Sequence, residues 1–127
     1  MTYNADRITS FKQLRTWQRA REMAVYIYKI SQNFPSTETY GLTSQIRRSA
    51  TSVAANIAEG FSRASQKDKA HFYTIALGSL TETLSHAYIA TDLNFIKTQE
   101  LSIIEEKIEI LHKMINGMIK KAPGRIA

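Results

Sequence analysis

The sequence predicts an all-α fold, an antiparallel up-down-up-down four-helix bundle formed by one domain over residues 1–127. Three observations support this prediction. Gly and Pro, the residues that most often break helices, number only 5 and 2. Apolar side chains recur three and four positions apart in four stretches, which is the spacing of one helix face. The connections between these stretches are short, and short connections make neighbouring helices antiparallel.

The first two helices are predicted over residues 10–33 and 40–59. Ser10 is a typical N-terminal cap for the first helix. Pro35 ends it, because proline disfavours helical backbone at the residue before it. Gly60 follows the second stretch at the position where a left-handed C-terminal cap is expected.

The third and fourth helices are predicted over residues 65–93 and 98–121. Ser65 followed by Asp68 resembles a capping box with Asp in place of Glu. The last residues, 122–127, contain Pro and Gly and are expected to form a frayed basic tail.

Helical spacing assigns a core face to each helix. The fourth helix has the clearest pattern, with apolar residues alternating three and four apart as in the seam of a helix bundle. The predicted core residues are Leu14, Trp17, Ala20, Ala24, Ile27 and Tyr28; Leu42, Ile46, Val53, Ile57 and Phe61; Phe72, Tyr73, Ala76, Leu80, Leu84, Ala87 and Tyr88; and Leu101, Ile104, Ile108, Leu111, Ile115 and Met118.

Further apolar residues lie outside these core faces. A helix that is apolar on two faces is usually buried on both, so the sequence predicts a homo-oligomer. The alternative is ordinary scatter of apolar residues on the surface. The residues concerned are Ile103, Ile110 and Met114 on the fourth helix, Ile75 and Ile89 on the third, and Met23, Ile30 and Phe34 on the first.

Composition excludes several classes of protein. The chain has no Cys, which rules out disulfides, thiolate metal sites and cysteine nucleophiles and fits a reducing, cytoplasmic compartment. No apolar run is long enough to span a bilayer, so no membrane association is expected. Residues 1–7 lack the apolar core of a signal peptide.

Catalytic and metal-binding patterns are absent from the sequence. A di-iron bundle needs two Glu-x-x-His motifs that point inward. Glu109 and His112 form the only such spacing, and Glu109 lies on the outer side of its helix. There is no nucleophile elbow and no phosphate-binding glycine loop. We therefore expect no catalytic residue, metal or cofactor, and a protein that is not an enzyme.

The charge distribution is more informative. Lys and Arg total 17 against 11 Asp and Glu, a net charge of +6, and the excess lies in the first two helices and the tail. Arginine binds phosphate through its planar fork, so this surface is a candidate for sequence-independent binding of RNA or DNA. Aromatic residues do not alternate with the basic ones along the first helix, so no base-stacking platform is expected. The alternative is a solvated basic face. The candidate nucleic-acid-binding residues are Lys12, Arg15, Arg19, Arg47, Arg48 and Arg63.

A polar stripe follows the second helix beside its apolar face, surrounded by small residues that allow close helix approach. It is either a buried polar network that fixes helix or subunit register, or an exposed face with local ion pairs such as that of Arg63 with Glu59. Its members are Gln45, Arg48, Ser52, Asn56, Glu59 and Arg63.

Several segments, in this order and spacing, make the chain resemble a four-helix-bundle family first noticed as proteins encoded in intervening sequences of bacterial 23S ribosomal RNA genes. The resemblance covers about residues 10–120. The segments are Leu14-x-x-Trp17-Gln18, Phe34-Pro35, Tyr40-Gly41-Leu42-Thr43-Ser44-Gln45-Ile46-Arg47-Arg48-Ser49-Ala50, Ser52-Val53-Ala54-Ala55-Asn56-Ile57-Ala58-Glu59-Gly60 and Gly78-Ser79-Leu80-Thr81-Glu82.

The resemblance implies a bundle that assembles into a ring, a homopentamer. It also implies similarity to the accessory protein of diversity-generating retroelements, a basic pentamer that binds nucleic acid and a reverse transcriptase. It implies no catalytic residues. The motif positions that carry over, read as structural or interfacial, are Gln45, Arg48, Ser52, Asn56, Glu59, Gly60, Gly78, Ser79 and Glu82.

These observations lead to a non-enzymatic, oligomeric protein that binds RNA or another nucleic acid through a basic surface. The alternative is a protein-interaction scaffold or accessory subunit, for example of a reverse transcriptase, whose charge complements an acidic partner.

Overall fold

The computed structural model describes residues 8–121, which form four α-helices and two short 3-10 turns and contain no strand. The helices are α1 (Arg15–Ser31), α2 (Leu42–Ser62), α3 (Gln66–Asp92) and α4 (Thr98–Lys121), and the turns are Phe11–Gln13 and Ser36–Glu38. The predicted tail, 122–127, lies outside the described residues.

Each helix packs against two of the other three. Helix α1 contacts α2 and α4, and helix α3 contacts α2 and α4. The diagonal pairs, α1 with α3 and α2 with α4, make no close backbone contact over residues 8–121. The α2–α3 contact is the most extensive. The core therefore lies at the centre of the four helices.

Helix α1 begins at Arg15, so the prediction that it starts at residue 10 is wrong. Ser10 is a cap, but it caps the 3-10 turn: its side chain accepts from the Lys12 N–H, and the Gln13 side chain accepts from the backbone N–H of Ser10. Leu14 then has extended backbone, with φ −71° and ψ 123°, which separates the turn from the helix.

Helix α2 continues to Ser62, so the prediction that Gly60 caps its C-terminus is also wrong. Gly60 is buried within the helix, where an added Cβ would lie 2.6 Å from Cε1 of Tyr73. The glycine therefore permits close approach of α3 rather than a left-handed turn. The C-terminal cap is Arg63, whose backbone is extended with φ −75° and ψ 148°.

Helices α3 and α4 begin and end close to their predicted positions. The Ser65 hydroxyl accepts a hydrogen bond from the Asp68 N–H at 3.0 Å and caps α3. Asn94 has a φ of 63°, the left-handed conformation that Asn tolerates better than most residues, and it turns the chain toward α4.

The core is almost entirely aliphatic, and four predicted members are not part of it: Phe61 and Phe72 are half-buried and do not pack against it, and the other two are exposed. Tyr28 and Tyr88 are 42% and 43% exposed. Met23, Ile30 and Phe34, predicted to flank the core, are buried. Helix α1 packs between α2 and α4, so it buries a wider face than one apolar stripe, and these three residues are not part of an outer apolar surface.

Candidate functional site

Hydroxyl groups join α2 to α3 where the two helices pack most closely. Ser49 and Thr83 are both fully buried, and their side-chain oxygens lie 2.9 Å apart. The Ser49 hydroxyl donates to the Ile46 carbonyl at 3.1 Å, so it accepts from Thr83. The Thr83 oxygen also lies 2.9 Å from the Ser79 carbonyl. Each of these buried hydroxyls therefore has a hydrogen-bond partner within the protein, as buried polar groups generally do.

A second set of hydrogen bonds lies further along the same contact. The Asn56 amide donates to the carbonyl and the hydroxyl of Ser52, at 2.9 and 3.0 Å. The Ser52 hydroxyl and the Ser79 hydroxyl are 2.9 Å apart. Because Ser52 accepts from Asn56, its own proton is free to be donated to Ser79. We call the set Ser49, Ser52, Asn56, Ser79 and Thr83 the hydroxyl ladder.

A charged cluster lies at the outer edge of the ladder. Arg48 forms an ion pair with Glu82, and its Nη2 also donates to Gln45 Oε1 at 3.1 Å. His86 Nε2 lies 3.1 Å from the same Glu82 oxygen. The Arg48 and Glu82 side chains are 54% and 36% exposed. This cluster therefore remains accessible to a partner, unlike the ladder below it.

The polar stripe on α2 divides between its two interpretations: Ser52 and Asn56 are half-buried rather than buried, and their role in fixing register stays a prediction. Ser52 and Asn56 belong to the hydrogen-bonded network against α3. Glu59 and Arg63 instead form a local ion pair, with 2.9 Å between Arg63 Nη2 and Glu59 Oε2.

Two members of this site were missed in the sequence analysis, Ser49 and Thr83, whereas His86 lies four positions after Glu82, a spacing at which a local pair is expected. Ser49 sits among the small residues that flank the stripe, three positions before Ser52. Thr83 lies four positions after Ser79, so the pair occupies one face of α3. Ser79 and Thr83 are spaced i, i+4 on α3, and Ser49 and Ser52 are spaced i, i+3 on α2. These two spacings of hydroxyl residues were the sequence signal that could have identified Ser49 and Thr83.

The basic residues of the first two helices are not equivalent. Lys12, Arg15 and Arg19 are exposed. Arg47 is half-buried: its Nε donates to Ser31 Oγ at 2.8 Å, and its guanidinium carbon lies 4.6 Å from the centre of the Tyr28 ring. Arg47 therefore fixes the end of α1 on α2, and fewer of its donors are available to a ligand.

A basic corner forms where α2 turns into α3, beside the end of α4. Its five basic residues are accompanied by two acidic ones, Glu59 and Asp68. A shallow cavity lined by Gln66, Lys69, Met118 and Lys121 places the last turn of α4 next to the first turn of α3. The basic residues of the corner are Arg63, Lys67, Lys69, Lys120 and Lys121.

Aromatic rings lie under cations in this corner. The guanidinium carbon of Arg63 is 4.5 Å from the centre of the Phe72 ring, and the His71 ring lies edge-on to Phe72 at 5.4 Å. Arg21, on α1 and outside this corner, lies in the same way over Trp17, at 4.9 Å. The expectation of no base-stacking platform rested on the spacing of aromatic and basic residues along the first helix, and for the ridge of Lys12, Arg15 and Arg19 it stays a prediction. It followed one helix at a time, whereas Arg63 and Phe72 meet across a turn.

The outer face of α3 carries apolar residues and an exposed glycine. Ile75, Ile89 and Leu93 are 40%, 49% and 50% exposed. An added Cβ at Gly78 would meet nothing within 4 Å. On α4, Ile103 is 41% exposed, while Ile110 and Met114 are half-buried.

Two further observations concern residues 8–121 alone. This part of the chain contains no group of three or more His, Asp or Glu side chains placed to hold a metal ion. None of its helices is long and apolar enough to cross a membrane.

The part of the chain that the structure describes has four helices and no strand, and hydroxyl groups link α2 to α3. These features define an all-α protein of the four-helix class. The family model described as 23S rRNA-intervening sequence protein matches residues 12–117, so the chain belongs to that family.

A solved structure supports the same fold. It is the crystal structure of a protein with unknown function from the S23 ribosomal protein family of Bacteroides thetaiotaomicron VPI-5482, and it superposes with a TM-score of 0.74 at 27% sequence identity. The similarity covers 83% of this chain and 98% of the other. None of the curated proteins matches the chain.

Proposed function

We propose that this protein is a non-enzymatic, oligomeric binding protein that engages RNA through its basic surface. The observation that carries the proposal is the exposed cationic surface of a chain with net charge +6: Arg15 and Arg19 on α1, and the basic corner. Counterion release makes such a surface bind polyanions without reading sequence. The description of the solved relative refers to a ribosomal protein family, which supports RNA as the polyanion.

The proposal includes an antiparallel bundle that assembles as a ring, with five copies as the resemblance implies. Contacts along α2 and α3 support the helix directions, because Gly60 meets Tyr73 while Ser49 meets Thr83. The apolar stripe on the outer face of α3, with Gly78 at its middle, supports a contact between copies. A glycine with open space above it lets another backbone come close.

RNA binding is tested by fluorescence anisotropy with a labelled RNA between about 50 mM and about 200 mM salt. The double variant Arg15→Glu/Arg19→Glu should weaken binding at least about tenfold and flatten the salt dependence. Lys97→Glu/Lys113→Glu, on other exposed positions, is the matched control because it changes the net charge equally. Equal weakening by both variants, or no binding at the lowest salt, would contradict the proposal.

Assembly is tested by light scattering. Gly78→Arg adds bulk where the isolated chain has open space, so it should lower the measured mass without unfolding the bundle. Thr81→Arg, also exposed on α3, should leave the mass unchanged. A wild-type mass of 14.4 kDa at micromolar concentration would refute oligomerisation.

A second candidate function is a scaffold or accessory subunit for a protein partner. The apolar stripe beside the Arg48–Glu82 pair favours it, since exposed apolar residues next to charged ones are typical of protein interfaces. The two functions separate after nuclease treatment, because a scaffold retains its partner and an RNA-bridged complex loses it.

A further inference from the structure

We propose that the basic corner binds single-stranded RNA by stacking an unpaired base on the Arg63 guanidinium. The inference rests on the proposed function and adds to it the kind of RNA that is bound and the residues that bind it. The corner consists of Arg63, Lys67, Lys69, Lys120 and Lys121, with the rings of His71 and Phe72.

The Arg63 guanidinium is held in place by two contacts. Its carbon lies 4.5 Å from the centre of the Phe72 ring, and its Nη2 bonds to Glu59 Oε2 at 2.9 Å. The side chain is nevertheless 42% exposed, so part of the group remains open to solvent. Guanidinium planes stack on bases, and a plane that is already fixed loses little entropy when a base settles on it.

His71 adds a second flat group. It is exposed, and its ring lies edge-on to that of Phe72, with 5.4 Å between the ring centres. Aromatic rings and arginine in one groove are the usual platform for successive bases of a single strand, since every base has a π-face. The corner therefore offers two neighbouring stacking positions.

Charges around these rings suit a phosphate backbone. Lys67, Lys120 and Lys121 are exposed. Lys69 has a different role: its ammonium donates to the Phe61 carbonyl at 2.6 Å and lies 3.4 Å from the Gly60 carbonyl, where it offsets the negative end of α2. An approaching phosphate therefore meets ammonium groups rather than bare helix carbonyls.

Geometry favours single strands over the other polyanions. A duplex keeps its bases stacked internally and presents mainly phosphates, so it would use the lysines but not the Arg63–Phe72 pair. An acidic protein would also satisfy the charges and leave the rings without partners. Only an unpaired base uses both features.

The experiment measures anisotropy of a labelled oligoadenylate of about 20 nucleotides and of an RNA duplex of the same length. Arg63→Lys keeps the charge and removes the plane, so it should weaken single-strand binding about tenfold and change duplex binding less than about twofold. His71→Ala should weaken single-strand binding in the same selective way. Arg21→Lys is the matched control, because it makes the same exchange over an aromatic ring outside the corner, with Arg21 4.9 Å from the centre of the Trp17 ring, and should change neither. Thermal melting checks that each variant is folded.

Three results would overturn the inference. Arg63→Lys would affect single strand and duplex equally, or would behave like Arg21→Lys. Alternatively, labelled polyglutamate would bind and would lose as much affinity as oligoadenylate in Arg63→Lys, which would make the corner a site for acidic chains. Failure of the proposed function has its own signature, since then neither RNA binds the wild-type protein at low salt.

Discussion

The α2–α3 contact and the contacts of α4 are built in different ways. Between α2 and α3, small residues and the hydroxyl ladder bring two helices close together, and Gly60 has Tyr73 against its bare backbone. Helix α4 instead buries Ile104, Ile108, Leu111 and Ile115, all aliphatic. Its hydrogen bond to α3, from the Tyr88 hydroxyl to Glu105 at 2.8 Å, is exposed.

The difference concerns specificity. Aliphatic side chains stabilise by the area they bury, and they tolerate small shifts along the helix. Hydroxyl pairs have one good geometry and are costly when a partner is missing. We therefore expect α4 to supply much of the stability and the α2–α3 contact to fix the register. Substitutions in α4 and substitutions in the α2–α3 contact should therefore separate the contribution to stability from the contribution to register.

The largest effect is expected on the α4 side. Leu111 is fully buried, so Leu111→Ala removes apolar contacts and leaves a cavity that should cost about 3 kcal/mol of unfolding free energy. Urea denaturation at fixed protein concentration measures this. Ile103→Ala is the control, because Ile103 is 41% exposed and should cost much less. Similar losses in both variants would mean that α4 is not the stabilising element described.

The next effect tests the close approach of α2 and α3. Gly60→Ala places a Cβ 2.6 Å from the Tyr73 ring and should cost about 2 kcal/mol, in spite of the better helix propensity of alanine. Gly117→Ala makes the same exchange within α4, where an added Cβ would meet nothing within 4 Å, and should stabilise by about 0.5 kcal/mol or more. Two stabilised variants in urea denaturation would show that the contact at Gly60 is not tight.

A smaller effect is expected within the hydroxyl ladder. Thr83→Val keeps the shape of the side chain but removes the donor to the buried Ser49 oxygen, which should cost about 1 kcal/mol. Thr81 is the control: it is exposed, its hydroxyl donates only to the Leu77 carbonyl at 3.2 Å, and Thr81→Val should be nearly neutral. If Thr83→Val and Thr81→Val had the same urea midpoint, the hydroxyl ladder would contribute little to the free energy of unfolding.

The smallest effect is a pH dependence. Burial raises the pKa of Tyr73 above its ordinary value of 10.0. The unfolded chain therefore loses this proton at lower pH than the folded one, so the stabilisation is present below about pH 10 and is lost as the pH rises through the folded-state pKa. Tyr73→Phe should reduce the fall in melting temperature between about pH 9 and about pH 11.

Tyr40→Phe is the control for this measurement, because Tyr40 is 96% exposed. Part of the fall in melting temperature should remain in Tyr73→Phe, since burial and the nearby Glu100 also raise the pKa of Tyr26. Identical melting profiles for the two variants would exclude the assigned role of Tyr73.

The sequence was sufficient to predict the four helices, because periodicity and capping are local properties. Ser65 caps α3 as its spacing with Asp68 predicts. Gly60 was misread because a glycine near a helix end has two possible reasons, a left-handed turn or a close neighbour. Only the position of Tyr73, thirteen residues further on, distinguishes them.

The candidate site was harder to predict from the sequence for the same reason, because its contacts depend on residues of another helix. The stripe from Gln45 to Arg63 was visible on one helix, but its partners Ser79 and Glu82 lie on another. The contact between Arg63 and Phe72 also depends on how α2 turns into α3. Pairings across a turn depend on the angle between two helices, and no single-helix pattern contains that angle.

The hydrogen bonds from Lys69 to the Gly60 and Phe61 carbonyls affect how copies of this chain can associate. The link between α2 and α3 is only three residues, 63–65, and Lys69 ties the start of α3 to the last carbonyls of α2. A short link alone invites exchange of α3 between two chains, but the Lys69 hydrogen bonds make this link rigid and would have to break in both copies. The corner therefore opposes domain swapping and favours association of intact bundles.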